Sequence, residues 1–212
     1  MFSLLLSVAT WPLAAQAQRS LSFDAHALPE TGTVAIAVAE GLPEGGSFDA
    51  IDARTGGALR RAAQAESFKG KADSTLDLRG FGGYERLLVL GTGKDAPAPD
   101  KLTLSKGDVK ASAQAFAKSR APRVDLVWDG DGADAASRLA FGAAIGQYSF
   151  DKYRSKKPGD EDEAPASKGE LVIRTAAGAG AGAAYTTQWK PVADAIAFAR
   201  DLSTEPANAL WP

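Results

Sequence analysis

The chain has 212 residues, 45% hydrophobic and 24% charged, with a formal charge of -2 at pH 7, which suits a globular protein of about one domain. The near-balanced charge argues against a nucleic-acid partner, since binding of that kind needs clustered Lys and Arg. The lack of cysteine excludes disulfides, thiol catalysis and thiolate metal sites, and the single histidine, His26, cannot build a multi-histidine zinc site, so a surface or capping role is expected for it.

Residues 1–18 hold an apolar stretch from Phe2 through Leu13, followed by Ala15, Gln16 and Ala17. This fits the h-region and A-x-A site of a secretory leader cut after Ala17, although no positive n-region precedes it. Export is therefore expected, with no membrane association of the mature form, because the run is too short to span a bilayer. A buried helix in a cytoplasmic protein is the alternative. Next, Thr33 to Ala39 is a β-branched and apolar run closed by Glu40, Gly41 and Pro43, which reads as a buried, central strand. From Phe48 to Ala62 apolar residues recur at helical spacing, but Gly56 and Gly57 predict two helical pieces rather than one. Ser74 to Leu78 and Arg86 to Leu90 are extended runs joined across Gly82 and Gly83, a hairpin pattern.

Asp108 to Ser119 reads as an amphipathic helix that carries Val109, Ala113, Phe116 and Ala117 on one side. Arg123 to Trp128 is a further strand. The turn Asp129 to Asp134 offers helix N-caps to a buried helix expected over Ala135 to Phe150. Lys156 to Lys168 is loop chemistry, and its four successive acids lack the spacing of a calcium loop. Glu170 to Thr175 is expected as a strand and Ala176 to Ala184 as a mobile, low-complexity tip. Pro191 to Leu202 predicts a helix that buries Val192, Ala195, Ile196, Ala199 and Leu202 and ends at Pro206. Strands alternating with helices point to an α/β fold, a three-layer α/β/α sandwich with a mixed sheet.

Chemistry-bearing motifs are sparse. Gly91, Thr92, Gly93 and Lys94 follow a strand, yet Leu88 and Asp95 stand where a phosphate loop needs Gly and Ser or Thr, so a strand-terminating turn is expected. No G-x-S-x-G elbow occurs. Asp125, Asp129, Asp131 and Asp134 cluster in sequence and are expected to cap rather than to catalyse.

The run Ala199 to Asn208, ARDLSTEPAN, resembles the segment that joins the two domains of leucyl aminopeptidases, with Thr204 where the family usually has Asn. Phe68 to Lys71 (FKGK), Leu87 to Lys94 (LLVLGTGK) and Phe141 to Lys157 (FGAAIGQYSFDKYRSKK) are similar to family segments in the same order. The resemblance implies an amino-terminal domain over 18–202, after a leader over 1–17 and before a linker beginning at 203–212, with a macro-domain-like sandwich fold. It implies that catalysis belongs to a carboxyl-terminal domain, where two divalent metals, zinc or manganese, polarise the scissile carbonyl and activate water. The sequence is accordingly expected to stop before the active site. No catalytic, cofactor-binding or metal residue carries over, and Glu205, Pro206 and Asn208 take only a junction role. The partners implied are the chain's own catalytic domain, peptide substrates of the parent enzyme and further copies of it, commonly as a hexamer. A macro-like module for a nucleotide or ADP-ribose is the rival reading.

Overall fold

The structure, a computed structural model, describes residues 19–42, 44–72, 74–94, 121–130, 132–148, 150 and 169–206. The expected leader over 1–17, the helix over 108–119, the acidic loop over 156–168, Asp131 and Asn208 lie outside the described residues. The elements run β1 (Ser20–Ala25), β2 (Gly32–Ala39), α1 (Gly46–Arg54), α2 (Ala58–Ala65), β3 (Thr75–Phe81), β4 (Tyr84–Gly93), β5 (Arg123–Trp128), α3 (Ala133–Gly146), β6 (Glu170–Thr175), α4 (Gly178–Ala184), a π-helical turn (Tyr185–Trp189) and α5 (Lys190–Thr204). The strands form one sheet in the order β1-β6-β5-β2-β4-β3, parallel except for the antiparallel β3–β4 pair.

A strand that is apolar on both faces needs cover on both, and β2 obtains it at the centre of the sheet. Val34, Ile36 and Val38 pack with Phe48 and Ile51 of α1 and Leu59 and Ala63 of α2, while Ala35 joins the opposite core. The same alternation divides β4, Leu87 and Val89 on the first face and Leu88 and Leu90 on the second. On that second face α3 sets Leu139, Ala140 and Ala143 against Val124, Leu126, Leu171 and Ile173. Each fully buried large aliphatic side chain contributes about 1.5–3 kcal/mol. The three-layer arrangement with a mixed sheet thus holds. The helices on the α1 side reach only part of the sheet. Over β1, β6 and β5 that face carries a polar ladder, in which Arg174 joins Asp125 at 2.6 Å and Asp24 at 3.3 Å, and Arg123 joins Asp125 and Glu170.

The two-piece helix and the hairpin stand as expected. Gly82 and Gly83, at φ 59° and 91°, form a two-residue connection that only glycine adopts cheaply, and it lets the β3–β4 ladder run on past the expected strand ends.

Three expectations are corrected, and one strand is added. The helix expected to Phe150 ends at Gly146, because tertiary bonds draw the chain off its axis: Gln147 Oε1 accepts the Arg19 backbone N–H at 2.8 Å, and Tyr148 donates its hydroxyl to Asp201 at 2.9 Å. Ala176 to Ala184 is not a mobile tip. Its Gly178 and Gly182 seat α4 directly on Asp24 and Phe23 of β1 and bury Ala181, contacts that outweigh the poor helix propensity of glycine. In α5 the buried residue is Ala193, with Ile196 packed near Trp189 and Phe141, so the expected inward face, Val192, Ala195, Ala199 and Leu202, points outward. The helix is amphipathic about two stripes, and the docking of Trp189 at the end of the π-turn chooses between them. Finally, β1 was not expected. The alternation of Leu21 and Phe23 with Ser20, Ser22 and Asp24 is a weak signal that becomes a strand through its parallel pairing with β6.

Candidate functional site

In an open parallel sheet, ligands bind in the crevice outside the carboxyl ends of adjacent strands whose connections leave toward opposite faces. Here those strands are β2, which leads into α1, and β5, which leads into α3. A cavity of about 300 Å³ lies at that place. Its described lining includes Ala37 to Ala39 at the end of β2, Thr92 of β4, Phe48, Trp128, Glu44 and Asp129.

Asp129 organises the crevice. Its Oδ2 accepts the Ser47 backbone N–H at 2.8 Å, and its Oδ1 accepts the Ser47 hydroxyl at 2.5 Å and lies 2.9 Å from His26 Nε2. Asp129 was expected to serve the helix that follows it in sequence. Instead it bonds the N-terminus of α1, 82 positions away, and α3 has Gly132 at its N-cap position, with no side-chain cap. Of its sequence neighbours, Asp125 is buried in the polar ladder of β5, and Asp134 pairs with Arg138 at 2.6 Å in the first turn of α3. The three do not converge on one site. His26 lies at the surface and caps no helix itself; it steadies the Asp129 carboxylate that does. Ser47, which sequence reasoning passed over, is 2% exposed and completes the network. No local signal marked it, because its partner comes from the far side of the sheet.

This arrangement is unsuited to phosphate. The N-terminus of a helix attracts anions through its free amides, but Ser47 N–H is taken by Asp129 and Gly45 N–H by Asp49 at 2.6 Å. The glycines of the GTGK run are likewise occupied with packing. A methyl group on Gly91 would run into the carbonyl oxygen of Lys71 and the hydroxyl of Ser74, and Gly93 N–H donates to Gly70 O at 3.0 Å. The run is the end of β4, locked against the FKGK segment, whose Phe68 enters the core. Two segments similar to family motifs are therefore one structural unit.

The second feature is an exposed apolar stripe. Val192, Phe198 and Leu202, which are 43%, 49% and 40% exposed, lie on α5 about one side of the helix with Ala195 and Ala199. At the end of α5 the Thr204 hydroxyl donates to Arg200 O at 2.7 Å and Glu205 N–H to Asp201 O at 3.0 Å, which closes the helix before Pro206. The residue that departs from the family pattern, Thr204, is thus absorbed into ordinary helix-end bonding. Among the described residues no three His, Asp or Glu side chains are grouped to hold a metal ion, and no step of metal chemistry is placed on them.

A family model described as the cytosol aminopeptidase family, N-terminal domain, matches residues 35–157. Similar proteins include a probable cytosol aminopeptidase of Allorhizobium ampelinum, 34% identical over 200 residues, covering 91% of this chain and 38% of that protein. Another, from Methylorubrum extorquens, is 38% identical over 160 residues, covering 73% of this chain and 30% of the relative. Among solved structures, a tomato leucine aminopeptidase mutant superposes with a TM-score of 0.65 at 20% identity, over 92% of this chain and 40% of that one. The bottromycin maturation enzyme BotP in complex with Mn gives 0.56 at 23% identity, over 86% of this chain and 33% of that one. The chain thus spans well under half the length of the relatives it matches.

Proposed function

Because the chain belongs to the cytosol aminopeptidase family and corresponds to its N-terminal domain, we propose that it is the non-catalytic assembly or regulatory domain of a two-metal leucyl aminopeptidase. Hydrolysis of N-terminal residues from peptides then belongs to a carboxyl-terminal catalytic domain, with zinc or manganese held there. The observation that carries this reading is the outward stripe of Val192, Phe198 and Leu202 on α5. An apolar row on the last described helix, which leads into the run similar to the family's interdomain junction and shares Leu202 with it, supports docking of the catalytic domain on that face. Assembly into a hexamer follows from the same family reading. The apolar start of the sequence supports export, which a mature N-terminus at Gln18 would bear out and one at Met1, in a cytoplasmic protein, would refute.

The test is complementation. The catalytic part of a related cytosol aminopeptidase, freed of its own N-terminal domain, is mixed with this chain; co-elution and altered hydrolysis of leucine anilide are expected. Replacing Phe198 and Leu202 with Glu should abolish both effects. Manganese-dependent hydrolysis by this chain alone would overturn the proposal.

A further inference from the structure

α4, the π-helical turn and α5 follow one another without a break, and the turn carries one residue more than a regular α-helix would. There the Lys190 N–H donates to Tyr185 O, five residues back rather than four. Each residue advances an α-helix by about 100°, so a surplus residue rotates all of α5 by that angle. Two features hold the turn open. Pro191 has no N–H to give to Thr187 O, and in a regular helix its ring would press on that carbonyl. Trp189, 8% exposed, packs on Phe141 at 5.1 Å between ring centroids, with the Arg138 guanidinium 5.9 Å from its ring. The hydroxyls of Thr186 and Thr187 donate back to Gly182 O and Ala183 O, both at 2.9 Å, which loosens the regular ladder just ahead of the turn. Holding Trp189 inside has a cost, because its buried indole N–H meets no acceptor among the described residues.

A second register is written into α5 itself. If the surplus residue is taken up into a regular helix, each later residue moves to the place of the one after it. Val192, Ala195, Ile196 and Ala199 then fill the places of Ala193, Ile196, Ala197 and Arg200, the side that faces the domain. That row carries no charge, whereas the observed row includes Arg200, whose guanidinium bonds Ile145 O at 3.0 Å. The second register gains a regular hydrogen-bond ladder and frees the indole N–H; the observed one gains the buried ring of Trp189. Phe198 and Leu202 would move to the exposed places of Ala199 and Ser203, so the outward stripe would break up.

We propose that α5 has two registers on this domain, one residue apart, and that Trp189 and Pro191 hold it in the one that displays Val192, Ala195 and Ala199. The π-turn is then a conformational device that decides whether the apolar stripe is shown. Only its consequence for docking rests on the proposed function. Thiol reactivity reports the register and co-elution reports docking, so either proposal can fail without the other.

The chain has no cysteine, so Val192→Cys and Ala193→Cys each carry a single thiol. With Trp189 and Pro191 in place, the thiol of Val192→Cys should react with an uncharged maleimide at least about tenfold faster than that of Ala193→Cys, since Val192 is 43% and Ala193 8% exposed. Adding Trp189→Ala and Pro191→Ala to each releases both holds, and the order of the two rates should reverse while the far-ultraviolet circular dichroism is kept. An unchanged order in that folded variant would overturn the proposal. Deleting Thr187 from the Pro191→Ala chain removes the surplus residue and keeps Trp189. The original order should persist there, and a reversed order would overturn the proposal as well. Should the doubly released variant unfold, the deletion decides alone.

Discussion

Replacing Asp129 with Ala removes a side chain that ties the start of α1 to the end of β5. Two hydrogen bonds from Ser47 are lost, at 2.8 Å and 2.5 Å, together with the contact to His26 Nε2 at 2.9 Å. Loss of an N-cap costs about 1–2 kcal/mol, and Ser47, only 2% exposed, is left with an unpaired N–H and hydroxyl worth about 1–3 kcal/mol. These contributions overlap, and the crevice lets water reach part of the gap, so the expected loss is about 2–3 kcal/mol. For a domain of this size that lowers the Tm by about 4–12 °C. Urea unfolding followed by circular dichroism should show a lower midpoint with an unchanged slope. A double-mutant cycle with Ser47→Ala should return a coupling energy of at least about 1 kcal/mol, because each residue's loss already contains the other's. His26→Ala should cost less than about 1 kcal/mol, since that side chain is 38% exposed and water replaces it. A loss below about 0.5 kcal/mol for Asp129→Ala, or additivity in the cycle, would refute the view that this contact anchors α1.

Gly91→Ala should destabilise the domain by at least about 2 kcal/mol in the same assay, because the added methyl meets backbone of the FKGK segment, which cannot swing aside as a side chain does. A near-neutral result would show that this segment is not locked to β4. Asp77 has its carboxyl held below the ordinary value, first by the hydrogen bond from Arg86, at 2.8 and 2.9 Å, then by the charges of Arg86 and Arg79, with burial acting against them. Its folded form therefore binds protons less readily than the unfolded chain. The stability this adds is present above the ordinary carboxyl range near pH 4 and is lost as pH falls through the depressed folded value. Asp77→Asn should accordingly be less stable than the parent at neutral pH, by no more than about 1 kcal/mol since the Asp77 side chain is 35% exposed and partly screened by water, and the gap should close in acid. A gap independent of pH would point to packing rather than charge.

Most of the sheet was legible in the sequence. The apolar runs at β2, β5 and β6 are short, bounded by turn residues and long enough to be recognised, and the paired glycines of the β3–β4 connection permit one kind of turn. Such signals are local: they depend on backbone freedom and on the alternation of neighbouring side chains. What the tertiary structure decided is where two equally acceptable local answers competed. The helix from Lys190 carries apolar residues on two sides, and only the docking of Trp189 and Ala193 determines which side is covered and which is left outward. The glycine- and alanine-rich run at 178–184 has no preference strong enough to predict, and β1 supplies the surface that makes it helical. Asp129 is a sound cap by chemistry, but which helix it caps depends on a strand end and a helix start brought together across the sheet. Hydrogen bonds of that kind depend on distance in space, and sequence separation carries no information about it.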